Sequence, residues 1–437
     1  MTGSTNALPI TRTNRSAAWK VALPAGIAMA LSLFGDLTLY AVLPVYAARL
    51  AISLEMVGVL LSANRLVRIA SNPVVGFLMD RLSRRKLVLV GLLTGIVPTI
   101  IYITGQGFWP FLAGRLIWGI SWSLIYIGAY CMILDASGQQ EYGRGSGTLQ
   151  AFYFAGLAAS PLFGGLLTDL FGFHQALFAC AIVQGTGFIV ALVFLPETRP
   201  VLAQIVSRRA MQISLVKTCL KIPGWVAAAY RRLSSGWTGR NLELILANTI
   251  YMATLFTGDG ILMSTLSLLL KQRYGETIPL VGLVLPVAAA GGGLLAIRAA
   301  VSGCTAPVAG RWSDRSGNRW LLTGWGALAA AAGCSLIALI ASPWLILGGV
   351  ILAALGSGVI LTLLPAITAA AMTGERKGLA MGILINSGDI GSAIAPLAGY
   401  LFLSRLTLPV IYLASGGLLA AGFLGAIWQA HKSHSSD

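Results

Sequence analysis

The segment GFLMDRLSRRKL, residues 76–87, lies between two long apolar runs and carries one acid and four bases in the seven positions from Asp80 to Lys86. A second segment, GRWSDRSGNRW at 310–320, repeats this pattern between two further apolar runs. Only 10% of the 437 residues are charged and 57% are hydrophobic, whereas a soluble protein carries about 25% charged residues. The composition therefore predicts a protein that lies in lipid, with short charged loops at its surface.

Twelve apolar runs are long enough to cross a bilayer, whose hydrocarbon core of about 30 Å takes about 20 residues of helix. Each run is expected to be helical because a segment in lipid has to satisfy its own backbone hydrogen bonds. The predicted fold class is an all-α membrane protein with 12 transmembrane helices. These spans 1 to 12 cover residues 20–47, 55–79, 87–106, 109–135, 146–168, 173–195, 242–270, 279–308, 320–341, 343–370, 378–403 and 407–430.

The distribution of positive charge predicts the orientation of these spans. All but eight of the 30 Lys and Arg residues lie in the ends of the chain or in loops that follow even-numbered spans. Basic residues stay on the cytoplasmic side of a membrane, so we expect both termini to be cytoplasmic, in the inner membrane of a bacterium. The same distribution accounts for the net charge of +16 without a nucleic-acid partner. We expect residues 1–19, which are polar and basic, not to be a cleavable signal peptide.

A long polar break divides the spans into two sets of six. The break is rich in bases and is expected to act as a cytoplasmic tether, which its charge would hold near the anionic inner leaflet. It is too poor in apolar residues to form a catalytic domain, so we predict no enzyme. The predicted units are a tail at 1–19, a first bundle at 20–196, a central loop at 197–240, a second bundle at 241–430 and a tail at 431–437.

The two bundles repeat one another at nearly constant offsets. An offset of 223 relates the Gly35-Asp36 pair of span 1 to the Gly258-Asp259 pair of span 7. Offsets of 234 and 235 relate the positions Pro73, Gly76, Asp80, Arg81, Arg85, Gly147, Gly156, Pro161 and Gly164 to Pro307, Gly310, Asp314, Arg315, Arg319, Gly382, Gly391, Pro396 and Gly399. Repeated halves of this kind place a substrate site at their interface and rock about it, which is typical of an alternating-access transporter.

The two charged segments resemble motif A of the major facilitator superfamily. This motif is a glycine, three further residues, an Asp-Arg pair, and then a second glycine with basic residues. Ser83 stands where that family prefers glycine. The matching positions are Gly76, Asp80, Arg81, Arg84 and Arg85 in the first copy and Gly310, Asp314 and Arg315 in the second. The resemblance covers essentially the whole chain after residue 20 and implies two pseudo-symmetric six-helix bundles.

Motif A implies a contact between the halves. In the family its Asp lies against the end of a helix of the opposite half, where the helix dipole stabilises a carboxylate by about 0.3–1 kcal/mol. Asp80 would meet the start of span 11 and Asp314 the start of span 5, and both contacts would hold the cytoplasmic side shut. The alternative is that these loops only set the topology through their positive charge.

Two further motifs support the resemblance. Arg115 and Gly119 in span 4 are similar to motif B. Span 5 is similar to motif C, which in the family marks antiporters that export drugs and metabolites in exchange for protons, although ordinary glycine packing would also account for its glycines. The matching positions of motif C are Gly147, Gly156, Pro161, Gly164 and Gly165, with Ser160 in place of one glycine.

Three acids lie deep within spans, where a charge costs at least ~2.5–3.5 kcal/mol and therefore indicates function. Asp36 shares one helix face with Tyr40 and matches the position of an acid found in many proton antiporters of the family. Because low dielectric favours the neutral form of a carboxyl group, Asp36 is a candidate proton or substrate site, together with Asp259 and with Asp389 beside Asn386. The alternative for Asp36 is a structural ion pair with Arg115 or Arg68.

Four arginines also lie within spans, one more than the acids, at Arg65, Arg68, Arg115 and Arg298. Guanidinium groups bind carboxylates bidentately, so these residues either orient an anionic or zwitterionic substrate or only pair with the aspartates. Aromatic residues are dense in spans 4 and 5 and either stack on a flat substrate or pack against each other. They are Trp118, Trp122, Tyr126, Tyr130, Phe152, Tyr153 and Phe154.

The leading interpretation is a secondary transporter that exports a small organic compound, a drug or a metabolite such as an anionic siderophore, in exchange for protons. The alternatives are an uptake or exchange carrier for organic anions and a membrane scaffold or sensor without flux. We expect a monomer that uses no ATP, because the chain has no GxxxxGK[ST] loop. We also expect no cofactor and no metal, because the cysteines and histidines are scattered.

Overall fold

The computed structural model describes residues 15–136, 142–198, 239–280, 283–316, 318–371 and 377–434. Residues 1–14 and 435–437 of the two predicted tails, and most of the predicted central loop, lie outside these ranges. Within them the chain is an all-α membrane protein, with two bundles of six spans each. A single two-stranded hairpin is the exception in the described part.

The first bundle contains spans 1 to 6. The α-helix of span 1 is interrupted at Leu33, whose backbone N–H donates to the carbonyl of Ala30, three residues earlier, at 3.3 Å. Ser53 and Ser83 begin spans 2 and 3 as N-caps, accepting hydrogen bonds from the backbone N–H groups of Met56 and Lys86. The helices are Arg15–Ser32 with Phe34–Tyr46 in span 1, then Leu54–Met79, Arg84–Thr104, Phe108–Ala136, Tyr142–Phe171 and Phe173–Phe194.

The second bundle contains spans 7 to 12. Span 7 consists of Gly239–Leu255, a π-helical segment Phe256–Leu262, and Met263–Tyr274. The predicted start of span 8 is wrong, because strands Thr277–Leu280 and Leu283–Pro286 pair antiparallel before the helix begins at Val287. Span 8 and its successors are Val287–Ser316, Arg319–Leu339, Pro343–Ala371, Lys377–Phe402 and Leu408–His434.

Ten helical stretches of the described residues are long and apolar enough to cross a membrane. The two remaining helices are spans 2 and 11, Leu54–Met79 and Lys377–Phe402. Both carry charged side chains within the span, Arg65 and Arg68 in span 2 and Asp389 in span 11, and they pack against each other across the two bundles. These charges fit helices whose polar side chains face the protein interior.

Spans 5 and 8 form the second contact between the bundles, and glycine makes it close. A Cβ atom on Gly165 would lie 2.4 Å from the carbonyl oxygen of Ala288, and one on Gly292 would lie 2.0 Å from that of Pro161. Part of motif C thus admits a helix of the opposite half. Gly156 and Gly164 instead face span 1 of their own half, where a Cβ would meet Ala30 and Thr38, and Gly147 has nothing within 4 Å.

Polar contacts join the bundles from mid-depth to one end, here called the distal end, at which spans 1, 5, 7 and 11 finish. Asp169 Oδ2 accepts a hydrogen bond of 2.6 Å from the backbone N–H of Ala289, in the first turn of span 8. Lys271 Nζ donates to the Val45 carbonyl at 2.8 Å. Asp169 therefore accepts a hydrogen bond from a free N–H group of a helix of the other half, and its negative charge faces the positive end of that helix dipole.

The first motif A loop lies at the opposite, proximal end. Its bases bind carbonyls at the ends of helices in their own half: Arg84 Nη1 donates to Cys131 O at 2.8 Å, and Arg85 Nη2 to Leu192 O at 2.6 Å. Cations are favourable there because helix C-termini carry negative partial charge. Asp80 is exposed.

The second motif A copy ends span 8. A Cβ atom on Gly310 would lie 3.9 Å from Thr362 Cγ2. Arg315 is exposed. The side chain of Asp314 lies outside the described residues, as do those at the start of span 11. The inter-half contact expected of motif A therefore stays a prediction.

We predict that Asp169→Ala separates the distal ends. The substitution removes a charged hydrogen bond and a charge–dipole interaction, together about 1–2 kcal/mol, from the closed arrangement. Spin labels at the exposed positions Phe171 and Val284, which are 61% and 69% exposed, measure the separation by double electron–electron resonance in a cysteine-free background. Glu55→Ala, at an exposed acid of the same end, is the control. An unchanged distance distribution in Asp169→Ala would contradict this role.

Candidate functional site

Both predicted Gly-Asp pairs lie where a helix departs from regular α geometry. Asp36 lies in the first turn of Phe34–Tyr46, just after the interruption at Leu33. Asp259 lies within the π-helical segment Phe256–Leu262 of span 7. π-helical segments are rare and frequently mark functional sites. The two halves thus share both the residue pair and a local irregularity at the same point of their first helix.

Asp36 is 7% exposed and forms an ion pair with Arg115, which is completely buried. Asn64 Nδ2 donates a second hydrogen bond to Asp36 Oδ1 at 3.4 Å. Arg115 Nε also donates to the Leu60 carbonyl at 2.9 Å. Of the two partners that the sequence left open for Asp36, Arg115 and Arg68, the structure pairs it with Arg115. Spans 1, 2 and 4 meet at this pair.

Tyr40 connects this pair to a second arginine. Its hydroxyl accepts hydrogen bonds from Arg115 Nη2 at 3.1 Å and from Arg65 Nε at 3.4 Å, and it donates to the Leu61 carbonyl at 3.2 Å. Both guanidinium groups also lie over the Tyr40 ring, 5.1 Å and 5.9 Å from its centroid. Tyr40 therefore bridges two like charges and offers each of them a neutral acceptor and a ring face.

Asp259 pairs with Arg298 of span 8 at 2.5 Å, and this pair is the counterpart in the second half. Gly258 makes room for it, because a Cβ at that position would lie 2.7 Å from Arg298 Nη2. The side chains are 20% and 7% exposed, respectively, so the pair is less enclosed than that of Asp36.

A third ion pair crosses between the halves. Arg68 Nη2 of span 2 binds Asp389 Oδ1 of span 11 at 2.8 Å. Close to it, Arg65 Nη2 donates to the Asp259 backbone carbonyl at 3.3 Å. Asn386, predicted beside Asp389, is exposed and makes no side-chain hydrogen bond with the described residues. The structure thus joins all three acids and all four arginines in one layer and leaves Asn386 outside it.

Aromatic side chains of spans 4 and 5 form a continuous surface beside this layer, here called the aromatic wall. The wall comprises Trp122, Tyr126, Tyr130, Tyr153 and Phe154, with neighbouring ring centroids 4.9–6.2 Å apart. Tyr153 lies within electrostatic range of Arg65 and Asp259. Tyr251 of the opposite half lies within the same range of Tyr126 and Tyr153. Rings and charges are therefore adjacent between the halves.

Sequence reasoning missed the contributions of Asn64 and Asp169. Asn64 lies one helical turn before Arg68 within the apolar run of span 2, and a polar residue at such a position was the available signal for its burial. Asp169 lies beyond the last glycine of motif C, near the end of span 5, and only the position of span 8 assigns its contact.

The Major Facilitator Superfamily model matches residues 25–300 and 257–436 of the chain. A class G tetracycline resistance protein of Vibrio anguillarum is 32% identical over 141 residues, which are 32% of this chain and 35% of that protein. A class B tetracycline resistance protein of Escherichia coli is 24% identical over 349 residues, which are 78% of this chain and 77% of that protein. The alignment with the class G protein thus spans only about a third of its length.

Among solved structures, a POT family transporter in complex with 5-aminolevulinic acid superposes with a TM-score of 0.76 at 14% identity. The superposition covers 94% of this chain and 96% of that one. At this identity the likeness concerns the fold alone.

We predict that breaking the Asp36–Arg115 pair from one side is strongly destabilising. Arg115→Met leaves a buried carboxylate without its cation, which costs about 3–5 kcal/mol. The double variant Asp36→Leu with Arg115→Met removes both charges and is expected to lose less. Thermal unfolding of the full chain in detergent measures both, with the exposed Arg315→Met as control. A double variant less stable than either single variant would contradict the pairing.

The cross-half pair predicts energetic coupling between Arg68 and Asp389. Arg68→Gln and Asp389→Asn each remove one partner, so the double variant should lose less stability than the sum, by about 0.5–3 kcal/mol. A thermodynamic cycle of the four proteins, from unfolding in detergent, measures this coupling. Strictly additive losses would show that the contact contributes nothing to the state studied.

Proposed function

Because the chain belongs to the major facilitator superfamily, a family of transporters rather than enzymes, we propose that it exports a small organic compound in exchange for protons. The observation that carries this proposal is the buried Asp36, paired with Arg115 at an irregular point of span 1. The tetracycline resistance proteins among its relatives support export of a drug or metabolite.

Proton coupling follows from the electrostatics of that pair. When Asp36 takes a proton, Arg115 becomes a buried cation without a counter-charge, which is unfavourable in low dielectric. The layer must then rearrange, and Tyr40 passes the change to Arg65, which contacts span 7 in the other half. Protonation on one half is thereby linked to the contact between halves. Asp259 with Arg298 repeats the element in the second half.

Alternating access follows from the placement of the contacts. Opening the distal end would break the Asp169–Ala289 contact at that end, and we propose that it also separates the mid-depth Arg68–Asp389 pair, which joins the halves. Motif A would supply the opposing contacts at the proximal end. With both termini in the cytoplasm, as the distribution of bases favours, the distal end faces the outside. The transporter would act as a monomer and without ATP.

The test of proton coupling uses the full chain in proteoliposomes with an imposed pH gradient. The compounds are a panel that begins with tetracycline and quinolones. We predict that Asp36→Asn abolishes substrate-dependent proton movement and gradient-driven accumulation, because an amide cannot exchange the proton, and that Asp259→Asn reduces both.

The control for this test is Glu55→Gln, which neutralises an exposed acid of the distal end and should leave both activities unchanged. Wild-type proton movement retained in Asp36→Asn would exclude Asp36 as the coupling residue. Substrate flux without any response to the pH gradient would exclude proton coupling altogether.

A further inference from the structure

The charged layer holds one cation more than it holds acids, and the pairing identifies which one is left over. Asp36 pairs with Arg115, Asp259 with Arg298 and Asp389 with Arg68. No described carboxylate forms an ion pair with Arg65, the fourth arginine of the layer. The Asp259 carboxylate is within electrostatic range of Arg65 and Arg68 as well as Arg298, but its single charge neutralises only one of them.

The contacts of Arg65 are with neutral groups. Nε donates to the Tyr40 hydroxyl and Nη2 to the Asp259 carbonyl, while Met263 Sδ lies 4.0 Å from Nη2. Nη1 has no hydrogen-bond partner in the described part of the chain, and it is not among the enclosed polar atoms that lack one. Arg65 is thus a half-buried cation with an open donor.

A second unused donor lies one helical turn away. Arg68 Nε is buried without a partner among the described residues, although Arg68 Nη2 binds Asp389. Residues three apart on a helix share a face, so Arg65 and Arg68 present unsatisfied N–H groups to the same region between the halves. Unsatisfied charged donors in low dielectric are costly, and an anionic ligand would remove that cost.

The aromatic wall indicates the shape of a ligand that could bind to these donors. Tyr126, Tyr130, Tyr153 and Phe154 are half-buried rather than enclosed, so part of their ring surface remains accessible, while the Tyr130 hydroxyl donates to Gln150 Oε1 at 2.9 Å. Tyr153, within electrostatic range of Arg65 and Arg68, is the point at which the wall meets the charges. Aromatic rings bind flat ring systems by offset or edge-to-face stacking.

We infer that the transported compound is a flat aromatic carboxylate, with its carboxylate on Arg65 and its rings against the aromatic wall. This inference rests on the proposed function, since it names the substrate class of the same site. Arg65 acts as a specificity-determining residue: its charge is neutralised by the substrate and by no residue of the layer. Because Arg65 of span 2 also contacts span 7, an anion bound to Arg65 would affect the contact between the two halves.

The test compares three probes that share one ring system and differ in charge: 2-naphthoate, 2-naphthamide and 2-(aminomethyl)naphthalene. Binding to the purified full chain in detergent is measured by isothermal titration calorimetry, without a pH gradient. We expect 2-naphthoate to bind most tightly. Arg65→Gln should raise the dissociation constant of 2-naphthoate by about tenfold or more, the effect of losing a charged hydrogen bond. The same variant should change the dissociation constant of 2-naphthamide by less than about twofold.

Three variants separate the parts of the site. Arg65→Lys keeps the charge and should retain the preference for 2-naphthoate over 2-naphthamide. Tyr153→Leu removes a ring of the aromatic wall and should weaken the binding of 2-naphthoate and of 2-naphthamide to a similar extent. Arg49→Gln, at a distal arginine that stacks on Tyr46 outside the layer, is the control and should change neither. Thermal unfolding without ligand verifies that each variant is folded.

Several results would overturn the inference. They are no binding of 2-naphthoate, equal or tighter binding of the amide or the amine, and an equal loss for 2-naphthoate and 2-naphthamide in Arg65→Gln. If Arg65→Gln does not fold, the ranking of the probes on the wild-type protein and on Arg65→Lys decides. None of these measurements depends on proton coupling, so failure of the inference is distinguishable from failure of the proposed antiport, which the Asp36→Asn measurement tests.

Discussion

The structure depends on one electrostatic constraint: a charge placed among apolar helices has to be neutralised there, because lipid cannot solvate it. Seven charged side chains, three aspartates and four arginines, lie at mid-depth in the part of the chain that the structure describes, and six of them satisfy the constraint in three ion pairs. Two pairs join helices of the same half and so fix its internal packing. The third pair, Arg68–Asp389, joins the halves, and its formation is therefore linked to their relative position.

The difference between pairs within a half and the pair between the halves explains where the polar residues and glycines lie. Within each half the pair of the first helix joins helices of that half, so movement of the half as a body does not by itself separate its partners. Between the halves, the contacts at Asp169 and Lys271 are single hydrogen bonds to backbone groups, and Gly165 and Gly292 keep the helices close without interlocking side chains. Such contacts can be exchanged for others at low cost, which an alternating-access cycle requires.

The sequence was informative where a property is set by composition or spacing, and uninformative where it is set by neighbours in space. Length and hydrophobicity predicted the spans, but the apolar residues 279–286 were assigned to span 8, because a short apolar strand has the same composition as helix. Burial of Asp36 and Asp259 followed from their place in apolar runs, whereas the interruption at Leu33 and the π-helical segment left no signal in residue type. The Asp36–Arg115 pair was one of two alternatives that spacing could not separate, and the surplus of Arg65 emerged only once all the pairs were known.

The most direct measurement of the central claim is an experimental structure of the protein in a state open at its distal end, obtained by cryo-electron microscopy. We predict that Arg68 and Asp389 lie too far apart for a hydrogen bond in that state, while Asp259 and Arg298, which belong to one half, remain paired. A distal-open structure in which Arg68 still binds Asp389 would contradict the account, because that pair would then not depend on the relative position of the two halves.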